Sequence, residues 1–89
     1  MRVVEFRLEP LGAHQVTASD ARLILDILWA HAPVAGDLEH IWSCAAAGGV
    51  ELSLLLSETA HDPVVQAWQL LEEATKASAF LANWRTVRP

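Results

Sequence analysis

Apolar and polar residues alternate over residues 2–9, with Val4, Phe6 and Leu8 on one side and Glu5, Arg7 and Glu9 on the other. A period of two is that of a half-buried strand. Pro10 and Gly12 end it, and a polar connection runs on to Val16. Thr17 and Asp20 then have the spacing of a capping box, in which the threonine accepts from the third helical N–H and the aspartate reaches back to the cap. The pattern behind them predicts a helix over residues 18–32, with Leu23, Ile24, Ile27 and Leu28 on one face and Arg22 and Asp26 paired on the other. Trp29 falls beside that pair on the solvent side, to be covered by Pro33-Val34 folding back or by a partner. Pro33 and Gly36 end the helix.

A second extended run, residues 38–47, leads through Gly48-Gly49 into a third, residues 50–57. Two glycines between such runs signal a hairpin, because primed turns need positive φ. With Gly48-Gly49 as the loop, Ala47 faces Val50 and Trp42 faces Leu55. One sheet face then carries Ile41, Ser43, Ala45, Ala47, Val50, Leu52, Leu54 and Leu56 and is the core face. The other carries His40, Trp42, Cys44, Ala46, Glu51, Ser53, Leu55 and Ser57.

Asp62-Pro63 reads as an N-cap followed by proline at the first helical position. In the helix that follows, Val64, Ala67, Trp68, Leu70, Leu71, Ala74 and Ala77 share one side and Gln66, Gln69, Glu72, Glu73 and Lys76 the other. Continued further, that helix would place Phe80 and Trp84 over the polar side. It therefore either stops near Ser78 or turns a different face; a helical tail is expected in preference to a short strand at residues 84–87.

The order strand, helix, strand, strand, helix within residues 1–89 predicts one α+β domain, a two-layer sandwich. A right-handed crossover makes the first two strands parallel, and the hairpin brings the third between them, for a strand order of 1-3-2. The arrangement resembles a split βαβ or ferredoxin-like fold, with both helices on one face of a mixed sheet. Its first strand is expected to offer an unpaired edge. Its other face is left open, and Trp42 across from Leu55, with Cys44 and Ala46 next along the strand and His40 beside Trp42, forms an apolar cluster there of the kind that marks an interaction surface. A register slip, or Phe80-Leu81 folded over Trp42, is the competing account.

Composition narrows the partners. The apolar fraction of 53% with four tryptophans in 89 residues is that of a chain that folds. At this length a single core is marginal, and oligomerisation is the obvious supplement. Cys44 is the sole cysteine, so no internal disulfide forms. That count, and an N-terminus without an apolar h-region, predict a cytoplasmic protein. With a net charge of −5 and six scattered basic residues, nucleic acid is not expected as a partner, and no apolar run suits a membrane. Five arginines to one lysine, abundant alanine and no tyrosine suit a GC-rich bacterial genome.

Candidate chemistry is thin. Cys44 and His40 share a sheet face but stand four residues apart, about 13 Å along a strand, too far for a dyad. His14, His31, His40 and His61 make no ligand pair of metal-binding spacing, so no metal or cofactor is expected. Glu72 and Glu73 diverge on a solvated helix face, and Gly48-Gly49 lacks the lysine and helix of a phosphate loop. No catalytic residue is assigned, and the chain is expected to be a non-enzyme. Its expected function is that of a small interaction or assembly module, a homodimer or a binder of another protein. Its interface would comprise Trp42, Leu55, Trp29, His40 and Cys44, since exposed tryptophans are favoured interface anchors. The alternative is a small-molecule enzyme or ligand-binding protein of the dimeric α+β barrel kind, using His40, Trp42 and Ser53.

Overall fold

The computed structural model describes residues 2–33 and 36–87. The elements run β1 (Arg2–Pro10), α1 (Ala18–His31), β2 (Leu38–Ala46), β3 (Gly49–Leu56), α2 (Pro63–Ala77), a 3-10 turn (Leu81–Asn83) and β4 (Trp84–Val87). The protein is an α+β fold with one four-stranded antiparallel sheet, in the order β2-β3-β1-β4, and two helices. The expected order 1-3-2 therefore gains a fourth strand. β4 pairs with Arg7–Pro10 of β1, so the edge expected on the first strand is covered over those residues. The helical tail expected there is replaced because α2 stops at Ala77. Phe80 and Trp84 would otherwise have faced solvent, and the turn at Leu81–Asn83 brings Trp84 instead into the core, its ring beside that of Phe80.

The alternation read in the sequence decides the layering. Val4, Phe6 and Leu8 of β1 stand opposite Leu54, Leu52 and Val50 of β3, and Ile41 of β2 stands opposite Leu54. All are buried on the same face and form one core with Ala21, Ile24 and Leu28 of α1 and Ala67, Leu70, Leu71 and Ala74 of α2. Burial of this set is the main stabilising term, at about 25 cal/mol per Å² of apolar surface. Trp68 closes the α2 side with its ring 5.0 Å from Phe6, edge to face. Ser43 fixes α1 over β2 by donating to the Ala21 carbonyl at 2.9 Å.

Local rules explain most helix boundaries. The Thr17–Asp20 capping box is formed in both directions, and Arg22 pairs with Asp26 at 3.8 Å. Leu23, expected inside, is 43% exposed. The buried stripe is centred on Ala21, Ile24 and Leu28 instead, since small Ala21 lets the helix approach Ser43. Asp62 is not the side-chain cap expected of it. It has left-handed φ of 48° and makes no cap hydrogen bond; its carboxylate lies 3.3 Å from His61. Pro63 has no N–H and so needs no acceptor, and Gln66 supplies the local bonding through its N–H to the Asp62 carbonyl and its amide to the His61 carbonyl. The expected return of Val34 onto Trp29 lies outside the described residues.

The hairpin differs from its expected register. Its two loop residues are Ala47 and Gly48, at φ of 49° and 79°, so Ala46 faces Gly49 and Trp42 faces Ser53 rather than Leu55. The slip is two residues along the strand pair, which leaves every side chain on its expected face. Gly49 is held inside the ladder by a neighbour: a Cβ there would come within 2.8 Å of both the Arg7 guanidinium and the Leu8 carbonyl. Arg7 lies over this glycine and donates to the Ala46 carbonyl at 3.0 Å and the Ala47 carbonyl at 2.6 Å. At the far end of β2 a bulge between Leu38 and His40 turns Glu39 to solvent and Leu38 toward the core.

These contacts set opposite signs for two neighbouring substitutions. Gly49→Ala is expected to cost about 2 kcal/mol by displacing Arg7 or the β1 backbone. Ala47→Gly is expected to stabilise by up to about 1 kcal/mol, because glycine adopts the left-handed turn without strain. Urea denaturation of both variants checks the pair.

Candidate interaction face

The face of the sheet away from the helices is built by β-strand periodicity, since residues opposite one another across the ladder project to the same side. Three rows result. His40, Leu55 and Val3 make the first, Trp42, Ser53 and Glu5 the second, and Cys44, Glu51, Arg7 and Val87 the third. Beyond them Glu9 stands opposite Arg85.

The two ends of this face differ in chemistry. The charged end is knitted within the chain. Arg7 donates its Nε to Glu9 at 3.0 Å and lies 3.6 Å from Glu51, and Arg85 reaches Glu9 at 2.8 Å. Each guanidinium is thus matched, and the carboxylate of Glu9 ties β4 to β1. Arg85 and then Arg7 hold the Glu9 carboxyl below its ordinary range by hydrogen bonding to its charged form. The other end is apolar and uncovered. Trp42 is 64% exposed and Val3 54%. His40 stands edge-on to Trp42, with ring centroids 6.0 Å apart, and Leu55 fills the row between His40 and Val3.

Of the residues assigned to an interface from sequence, Trp42, His40, Leu55 and Cys44 share this face. Trp29 does not join them. It sits on α1, in the helical layer on the other side of the sheet, 40% exposed. Val3 is an exposed apolar residue that sequence reasoning left out of the face, although its alternation with Val4 was there to place it. Phe80-Leu81 does not cover Trp42: Leu81 is buried in the core and Phe80 packs on Trp84.

Titratable and polar groups gather elsewhere as well. His14 hydrogen-bonds through Nε2 to Asp20 at 2.9 Å, beside a cavity of about 290 Å³ walled by Phe80 and Trp84. Asp20 also accepts from the Thr17 N–H at 2.9 Å, and that bond, followed by the one from His14, lowers its pKa. The pair anchors the β1–α1 connection to the helix cap. A cleft of about 280 Å³ lies between β2, β3 and α2, floored by Leu38, Leu54, Leu56 and Leu70. Its Asp37 carboxylate is already engaged by Gln66 at 3.0 Å and by Ser57 at 3.4 Å. Among the described residues no helix is long and apolar enough to cross a membrane, and no three His, Cys, Asp or Glu side chains gather as a metal site. Comparison with protein-family models, curated proteins and solved structures finds no match for the chain.

The lowered carboxyls define an acid response. A carboxyl whose pKa falls on folding adds stability that is full above its unfolded value and is lost as pH drops through its folded value. Stability is therefore expected to be level above about pH 5 and to decline below about pH 4. The decline should be shallower in Asp20→Asn and Glu9→Gln, as urea midpoints measured across that range would record.

Proposed function

We propose that this chain is a small interaction module that acts as a homodimer through the open face of its sheet. The observation that carries the reading is the uncovered apolar end of that face: Trp42, His40, Leu55 and Val3 in adjacent rows, with none of the described segments laid over them. A ring as large as that of Trp42 gains about 2 kcal/mol or more from full burial, which favours a surface that is covered in use.

A second copy suits the face better than a charged partner does. The arginines and glutamates at its other end are satisfied by one another, so they offer little to attract a foreign surface of either sign. Strands of nine, nine, eight and four residues, at about 3.3 Å per residue and about 4.8 Å spacing, present roughly 500 Å². Two such faces bury on the order of 1,000 Å², the lower limit for a specific interface. The β1-α1-β2-β3-α2-β4 order, with β3 between β1 and β2, supports reading the domain as a split βαβ or ferredoxin-like arrangement with its sheet free to pack outward.

The alternative, a small-molecule enzyme or ligand-binding protein, rests on the cavity beside His14, whose imidazole is oriented by Asp20. It gains no support from His40, Trp42 and Ser53, which lie on an open sheet rather than in a cleft.

Light scattering after size exclusion tests the dimer. The wild type is expected to be dimeric at high micromolar concentration and Trp42→Glu to shift toward monomer by tenfold or more in dissociation constant, about 1.4 kcal/mol. A wild type that stays monomeric would sink the proposal.

A further inference from the structure

Strand β2 is the edge of the sheet on one side, and it is unguarded. Edge strands of soluble proteins are ordinarily short, or carry charge or proline, because a free row of N–H and C=O groups templates pairing with another chain. On the opposite edge β4 has four residues and includes Arg85. In β2, residues 40–46 run His-Ile-Trp-Ser-Cys-Ala-Ala with no charged side chain and no proline. The bulge at Glu39 marks where the run begins.

The hairpin fixes which backbone groups face outward. With a two-residue loop at Ala47-Gly48, Ala46 and Gly49 exchange hydrogen bonds, and the pairs then alternate along the ladder. His40, Trp42, Cys44 and Ala46 turn their N–H and C=O toward β3. Ile41, Ser43 and Ala45 turn theirs away from the sheet, and no turn, loop or cap bond among the described residues reaches their amides. Space beside them is open as well. A groove of about 460 Å³ runs between α1 and this edge, lined by Ala18, Ala21, Arg22 and Leu25 on the helix and by Ser43, Cys44 and Ala45 on the strand.

We infer that β2 pairs antiparallel with β2 of a second copy about a two-fold axis through Ser43, joining two sheets into one of eight strands. Self-complementarity is what selects a second copy as the occupant. Ser43 is the midpoint of residues 40–46, and it is also an outward-facing residue, so an axis there makes a hydrogen-bonded pair of Ser43 with its mate. Ile41 then meets the mate of Ala45 in a second hydrogen-bonded pair, and Trp42 lies directly across from the mate of Cys44. Every residue of the uncharged run is used and no charges oppose one another. Because Trp42 stands one residue from the axis and across from the mate of Cys44, the same pairing sets it diagonally beside the mate of Trp42 on the open face, with the two rows of His40, Leu55 and Val3 at opposite ends of the joined sheet. The inference shares with the proposed function a second copy as partner and uses a different surface, the edge rather than the face.

Amide hydrogen exchange separates the two contacts. With edge pairing, the amides of Ile41, Ser43 and Ala45 slow by about tenfold or more between low and high micromolar protein, because only the dimer protects them. Leu55→Glu, on central strand β3, leaves that slowing intact. Ala45→Pro removes an outward N–H without touching the β2–β3 ladder and abolishes the slowing at Ile41 and Ser43, with circular dichroism confirming the fold. A dimer in which those three amides exchange freely overturns edge pairing while leaving the face contact standing. Slowing that is independent of concentration, or that persists in folded Ala45→Pro, also overturns it. A wild type monomeric throughout removes both contacts together.

Discussion

Everything in this molecule follows from the alternation of β1 and β3. These two strands form the middle of the sheet, and each buries an unbroken apolar row on one side: Val4, Phe6 and Leu8 from one, Val50, Leu52, Leu54 and Leu56 from the other. A side-chain period of two admits no intermediate arrangement, so both helices must lie on that face and the opposite face must meet whatever is outside. With α1 and α2 both committed to the same layer, nothing described in the chain is left to cover the second. The open face is thus a consequence of making a two-layer fold from so few residues, and the function proposed above rests on it.

How the open face is furnished shows the chain meeting that constraint in two ways. Toward β4, charged residues are woven into one another, with Glu9 gripping two guanidiniums and Arg7 spanning from β1 to the hairpin turn. Such a surface is comfortable in water. At the other end, Trp42 and Val3 leave apolar area exposed beside half-buried Leu55, and residues 40–46 of the edge strand β2 lack the usual charge or proline. Stability and solubility alone would favour extending the charged pattern across the whole sheet. Both proposed contacts, by face and by edge, rest on this asymmetry.

Much of this was legible in the sequence wherever a residue pattern reports directly on backbone geometry. The Thr17–Asp20 box, the proline opening α2 and the period-two runs each place an element within a residue or two. What was not legible depended on contacts distant in the chain. The hairpin loop moved from Gly48-Gly49 to Ala47-Gly48 because Arg7, about forty positions earlier, needs the space over Gly49. β4 was read only as the less favoured alternative to a helical tail, because four residues are too few to show a period and its partner lies at the other end of the chain. Asp62 looked like a cap, but its left-handed backbone carries the carboxylate to His61. Trp42 and its neighbours were found because a slip of two residues spares the face. A slip of one would have hidden them.

The grip of Arg7 on the hairpin turn also bears on how the sheet comes together. Ala47 holds a left-handed conformation that an alanine disfavours, so β2 and β3 joined by this turn form a weak hairpin on their own. The two hydrogen bonds that steady the turn come from β1, which packs against β3 only after the chain has closed a loop of some forty residues. Local and long-range order are therefore tied to the same guanidinium. The turn is completed by the strand that verifies its register, and a mispaired hairpin would present no glycine for Arg7 to cover.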